Sequence, residues 1–245
     1  MTVSQPRRLK ILPRLGIAPS VSELVRAELT TAIDVAARRS EAVAVLDAGC
    51  GRMSALRPFR DRIERFVGAD LHPVEHGSLP FLDEFVVADL CRDANSFPES
   101  TFDIVLSSFT IEHFAEPRAA FANFARWLRP GGVLVATTVN RRHPFVGAYL
   151  SAPSPLRDAA QRYMKANAEA HRIVGACNSP QEIRDALDAA GFESVRMSVV
   201  GNLAHAWRRR LPTFAVGLVG DILASSIPSR RSTIVVAATK RASTG

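Results

Sequence analysis

Residues 45–53 read VLDAGCGRM, a short apolar run that ends on an acid and then on two glycines. A buried strand running into a glycine turn is where open α/β sheets admit a nucleotide, so the residues around the glycines decide which one. A dinucleotide fingerprint needs G-x-G-x-x-G, but Gly49 and Gly51 are followed by Arg52, Met53 and Ser54. A phosphate-cradling P-loop is excluded, because no G-K-[ST] follows. Asp47 stands two residues before the first glycine, where a pyrophosphate would approach. A carboxylate there repels phosphate and favours a cation such as an ammonium or a sulfonium.

Working outward, the apolar run AVAVLDAG (42–49) predicts the first buried strand, and Ser20-Val-Ser-Glu23 is a capping box opening a helix to about residue 39. The stretch SALRPFRDRIER (54–65) predicts a helix with Pro58 in its first turn. Further strands are expected at 65–72, 84–90, 102–109 and 132–140, and a helix from Pro117 that stops before Pro130. Ser179-Pro180-Gln181-Glu182 combines a cap, an N1 proline and an N3 acid, and that helix ends at Gly191. The last two strands, 192–200 and 232–241, have room to pair antiparallel. This alternation predicts an α/β fold: a Rossmann-like, doubly wound, mostly parallel seven-stranded sheet with an antiparallel edge strand and helices on both faces. The whole chain, 1–245, is expected to be one domain, with a cofactor-binding core at 40–140. Residues 141–177 would be an insertion forming the acceptor lid, and 205–228 an apolar insertion before the last strand.

The composition suits such a domain. Hydrophobic residues make up 47% of the 245, and the formal charge is +7. A basic surface attracts nucleic acid, anionic lipid or acidic small molecules and does not choose among them. Cys50, Cys91 and Cys177 are scattered without C-x-x-C spacing, which argues for a reducing compartment and against structural zinc. MTVSQPRRLKILPRLG (1–16) has no continuous apolar core of a secretory signal, and no run of 18 uncharged apolar residues occurs. A cytoplasmic protein is the expectation, with peripheral membrane contact through 207–228 as an option.

The ligand that fits an acid beside a glycine turn is S-adenosyl-L-methionine, which carries an ammonium, a sulfonium and a ribose but no phosphate. VLDAGCG, GADL, VVADL, FDIVLSSFTIEHF and WLRPGGVLV, in that order, resemble the class I S-adenosylmethionine-dependent methyltransferases. The likeness is to the small-molecule, type 11-like group that includes quinone-biosynthesis enzymes, strongest over about residues 40–140. The resemblance implies that Gly49 and Gly51 let the backbone approach the methionine part, with Asp47 near its amine. Asp70, with Leu71, would meet the ribose hydroxyls, and Asp89 and Leu90 the adenine. Ser107 or Ser108 would offer a backbone carbonyl to the amine. Met53 departs from the family, many members of which have a third glycine there.

Methyl transfer is a direct displacement that needs alignment, exclusion of water and, for a hydroxyl or amine, a base. His113, just after the fourth strand, is the first candidate base; its competing reading is a packing histidine before the Pro117 helix. His143, just after the fifth strand, is the second. Glu112 reads as structural or solvated. Asp70, His72, Glu75 and His76 invite a metal reading, but Pro73 interrupts them and no metal is expected. SSFTIEHF lacks the Pro-Pro-aromatic motif of base-amino methylation, and no cysteine is placed for cytosine-carbon chemistry. Two tryptophans and two tyrosines make few stacking platforms. The arginine groups 7–8, 141–142, 208–210 and 230–231 read as solvated faces sooner than as phosphate contacts. The expected partner is therefore a small or lipid-like methyl acceptor, not nucleic acid, methylated on oxygen. Phe145, Tyr149 and Tyr163 would furnish its lid. A non-catalytic cofactor-binding protein, an RNA methyltransferase and a dinucleotide oxidoreductase are the alternatives. Over 207–228, Phe214, Leu218 and Ile222 with Val219 and Leu223 form an amphipathic row for a membrane, the sheet or a second subunit.

Overall fold

A computed structural model describes residues 20–39, 42–73, 79–164, 173–208 and 210–242. The segment 1–16, Glu75, His76 and Arg209, named above, fall outside the described residues.

Seven strands form one sheet in the order β3-β2-β1-β4-β5-β7-β6. They are β1 (Ala44–Ala48), β2 (Arg65–Asp70), β3 (Glu84–Val87), β4 (Phe102–Ser108), β5 (Leu128–Val139), β6 (Phe192–Val200) and β7 (Thr233–Lys240). β1 pairs in parallel with both β2 and β4, so the chain winds outward in both directions from β1. Ligands of open sheets gather at that switch point, beyond the carboxyl ends of the strands. The antiparallel pairing expected at the far end is made by β7, which runs between β5 and β6 and is antiparallel to both.

The central strands are apolar at consecutive positions because both faces are covered. Leu46, Val67, Val105 and Leu134 face one core, shared with α2 (Pro117–Trp127) and α5 (Pro180–Ala189). Val45, Phe66, Ile104 and Val135 face the other, covered by Val25, Leu29 and Ile33 of α1 (Val21–Arg39). The caps form as the sequence suggests. Glu23 N donates to Ser20 Oγ (3.3 Å) while Ser20 N donates to Glu23 Oε2 (2.8 Å). Glu182 N donates to Ser179 Oγ (3.3 Å), and Gly191 ends the α5 turn with φ +85°.

Three elements differ from expectation. Residues 54–65 hold only a 3-10 turn, Arg57–Arg62, with Pro58 near its start. Its last residues must turn at once into β2, where Ile63 is already extended, so no α-helix propagates. The fifth strand begins four residues early, at Leu128, because that residue pairs with Phe102 before an irregularity in register. The apolar insertion breaks into α6 (Leu203–Ala206) and α7 (Leu211–Ser225), since Arg210 is extended and Pro212 starts a new helix. Between β5 and α5 lie α3 (Pro144–Ser151) and α4 (Ser154–Met164). Among the described residues no helix is long and apolar enough to cross a membrane.

Candidate active site

The glycine turn is held open by its neighbours. Gly49, at φ +81°, donates its N–H to the carbonyl of Ala69 (2.7 Å), and a Cβ there would strike the Thr110 side chain. Gly51 is also left-handed, at φ +51°, but a Cβ on it would meet nothing within 4 Å. The first glycine is therefore required by close approach, and the second borders open space. Asp70, at the end of β2, accepts from Gly51 N (3.0 Å) and His72 N (3.2 Å), tying the turn to the next strand.

These residues open onto a cleft of about 480 Å³ lined by Gly49, Gly51, Asp70, Leu71, Asp89, Leu90, Phe109, Thr110 and His113, among others. Seven of the eleven residues expected to form the site are thus brought to one cavity. Among the described residues its carboxylate and guanidinium lining is Asp70, Asp89, Glu116 and Arg92, and the arginine is paired with Glu116 (3.3 Å). An acidic cleft in a chain of charge +7 favours a cationic ligand and disfavours a phosphorylated one. Asp89 also receives the N–H of Cys91 (2.9 Å), so it shapes the turn that carries Leu90 into the wall.

Asp47 lies beneath the turn, off the cleft wall, and is only 2% exposed. One carboxylate oxygen, Oδ2, is buried without a hydrogen-bond partner. Burial pushes its pKa up to about 7; a hydrogen bond from Ser54 opposes this, and nearby Asp70 adds to it. An unmatched acid under the loop supplies a negative field where an ammonium or sulfonium can meet it. The residues present therefore fit S-adenosylmethionine.

The two serines are not on the cleft wall. Ser107 is fully buried in β4, with an unpartnered hydroxyl, and the carbonyl of Ser108 accepts from Thr110 Oγ1 (3.3 Å). Neighbouring Phe109 has φ +54°, rare for a bulky residue and costing about 1–3 kcal/mol. Thr137 holds it there, its hydroxyl and its carbonyl each accepting from Phe109 N at 3.0 Å.

Phe109 lines two further cavities. One of about 380 Å³ is bounded by Val139, Val146, Tyr149, Leu150, Ile173, Leu203 and Trp207, with His113 and His205. The other, of about 300 Å³, lies between the start of α1 and the residues after β6, and also touches Ser108 and His205. His113 lies on the 3-10 turn Ile111–His113 and belongs to both the acidic cleft and the larger, apolar chamber. Glu112 is buried beside it and accepts from Thr138 Oγ1 (2.9 Å).

His143 is a correction to the sequence reading. It is wholly buried, its Nδ1 caps α3 by accepting from Phe145 N (3.2 Å) and Val146 N (3.4 Å), and it lines none of these cavities. Desolvation holds its pKa below the usual histidine value, which suits an imidazole that accepts hydrogen bonds. Of the three lid aromatics only Tyr149 lines the chamber; Phe145 lies against Gly220, and Tyr163 faces outward under Arg210 (4.5 Å). Among the described residues no three His, Cys, Asp or Glu side chains gather as a metal site. Sequence reasoning missed Thr110, which closes over Gly49, and His205, which α6 carries to the chamber. Burial, and then Arg208, push the His205 pKa below the usual histidine value, and its only sequence signal was the aromatic and basic run LAHAWRRR.

Comparison with known proteins bears on the family and the fold. A family model described as a methyltransferase domain matches residues 21–196. The ubiquinone biosynthesis O-methyltransferase of Chelativorans sp. is 30% identical over 182 residues, covering 71% of this chain and 69% of that one. Phosphoethanolamine N-methyltransferase 3 of Arabidopsis thaliana is 31% identical over 159 residues, covering 62% of this chain but only 29% of the plant enzyme. Among solved structures, a geranyl diphosphate methyltransferase in complex with GPP and sinefungin superposes with a TM-score of 0.56 at 17% identity, covering 87% of this chain and 77% of that one. The phosphoethanolamine N-methyltransferase 2 of Haemonchus contortus, bound to S-adenosylhomocysteine, gives 0.53 at 15% identity, covering 96% and 52%. With the switch-point cleft, the acid beneath its glycine turn and a family model spanning most of its length, the chain belongs to the class I S-adenosylmethionine-dependent methyltransferases.

Proposed function

We propose that this methyltransferase acts on a hydroxyl oxygen of a small, partly apolar acceptor bound in the chamber behind His113. The observation that carries the reading is that His113 lines both the cofactor cleft and the apolar chamber. When bound, S-adenosylmethionine supplies an electrophilic methyl group on its sulfonium. In this reading Asp70 and Leu71 hold the ribose end, and Asp89 and Leu90 the adenine. Asp47 favours the cationic end from below. His113 takes the proton of the acceptor hydroxyl as the new bond forms, and His205 orients the acceptor from the other wall. Tyr149, Leu150 and Val146 of the 141–177 insertion act as the lid, replacing water with apolar surface.

The relatives include an O-methyltransferase and an N-methyltransferase by name. An unphosphorylated acceptor is favoured by the chamber, where Arg208 is the one Lys or Arg among the described lining residues, and oxygen is chosen because the apolar walls suit a neutral hydroxyl. The test uses methyl-labelled S-adenosylmethionine, the full-length protein and a metabolite extract. Label is expected in an organic-soluble product that survives mild alkali, as an ether does. His113→Gln should cut its formation by about 10²-fold or more while S-adenosylhomocysteine affinity stays unchanged. Label recovered in a water-soluble amine or in RNA, or full turnover by His113→Gln, would overturn the reading.

A further inference from the structure

Helix α7 is mostly apolar on its outward side as well as its inward one, and only one side of it is packed. Phe214, Gly217, Gly220, Asp221 and Ala224 face inward. Gly217 and Gly220 are demanded by contact: a Cβ on the first would lie 2.8 Å from the Leu203 carbonyl, and on the second 2.9 Å from the Phe145 ring. Asp221, the only charged residue of the helix, is also turned inward, where it accepts from Leu203 N (3.2 Å), Ala204 N (2.8 Å) and Ser232 Oγ (3.1 Å). The packed face therefore differs from the row read in the sequence: Phe214 is inside, while Val219, Ile222 and Leu223 are outside.

The outward side carries Leu211, Val216, Val219, Ile222 and Leu223, from 44 to 65% exposed, with Ala215 between them and Ile227 just beyond. No charged residue interrupts this face. Cations flank it instead, with Arg208 and Arg210 before the helix and Arg230 and Arg231 after it. An uncharged apolar face of a helix, exposed along its length, belongs in a core or against lipid. Fifteen residues make a helix about 22 Å long, whose single face falls short of the roughly 800 Å² per partner of a stable dimer.

We propose that the outer face of α7 docks on an anionic lipid bilayer, lying in the interface plane with its flanking arginines among the headgroups. Trp207 and Arg208, on the chamber wall, immediately precede this helix. Docking would bring the mouth of the chamber to the lipid surface, a corollary that rests on the function proposed above; docking itself does not.

Flotation of the full chain with vesicles of phosphatidylcholine containing 30 mol% phosphatidylglycerol, with roughly that share chosen for a strongly anionic surface, tests this directly. Wild type should float with these vesicles at low salt and bind pure phosphatidylcholine at least about tenfold more weakly. Val219→Asp with Leu223→Asp should abolish flotation, and Arg210→Gln with Arg230→Gln should weaken it about tenfold or more. Neither pair lines the cleft or the chamber, so S-adenosylhomocysteine affinity and thermal midpoint should match wild type and report intact folding. If the aspartate pair fails to fold, the arginine pair and the lipid dependence of wild type decide. The proposal is overturned if wild type stays with the unbound fraction, if binding ignores lipid charge, or if the chain is a dimer that the aspartate pair makes monomeric.

Discussion

At the scale of single residues, Asp47 is the most informative. Its carboxyl is held at about 7 in the folded chain by burial, against an ordinary value near 3.9. An acid whose pKa is raised on folding makes stability greatest below the unfolded value and erodes it as pH rises toward the folded one. In the cofactor-free protein that loss, between about pH 4 and 7, is on the order of 4 kcal/mol. Asp47→Asn should therefore be more stable than wild type at pH 8, with the gap closing toward pH 5. Urea denaturation at the two pH values measures it, and an equal gap at both would remove the buried charge as its cause. The same variant should bind S-adenosylmethionine more weakly. Gly49→Ala, forced to φ +81° against Thr110, should lose cofactor binding, whereas Gly51→Ala has room and should be milder. Sequence showed Asp47, the glycines, Asp70 and Asp89 because strand ends bring them into one register. It ranked His113 ahead of His143 but could not exclude the second. Both follow strands, and only the α3 cap, together with the burial it enforces, tells them apart.

At the scale of elements, periodicity and caps made most of the sheet and the helices α1, α2 and α5 legible. Alternation cannot show how a connection closes, so the short turn after β1 read as a helix until Ile63 had to join β2. Nor can it show which side of a mostly apolar helix is packed; in α7 the tight glycine contacts decide that. The inward Asp221 clasps α6, the helix that carries His205 to the chamber, through two hydrogen bonds, and a third from Ser232 ties it to the start of β7. Asp221→Ala leaves two backbone donors and a hydroxyl without this partner and should cost about 2–4 kcal/mol of stability. Calorimetric unfolding would register it, and S-adenosylhomocysteine affinity should change little in the fraction that remains folded. A loss of cofactor affinity equal to that of Asp70→Ala would mean the clasp serves the cleft instead.

At the scale of the whole molecule, charge is divided by place. The chain is basic overall, yet its switch-point cleft is acidic, and that contrast selects the ligand more sharply than the fold does, since dinucleotide enzymes share the winding. The insertion after β6 supplies both part of the apolar chamber, through Leu203, His205 and Trp207, and the exposed face of α7, and such loops are where these folds vary their specificity. Titration calorimetry of the purified full chain with S-adenosylhomocysteine, S-adenosylmethionine and NAD in parallel tests the acidic cleft most directly. Both adenosyl ligands should bind at one site per chain, NAD should give no heat of binding, and Asp70→Ala should weaken the adenosyl ligands by about tenfold or more. NAD binding without either adenosyl ligand, or adenosyl binding untouched by Asp70→Ala, would contradict it.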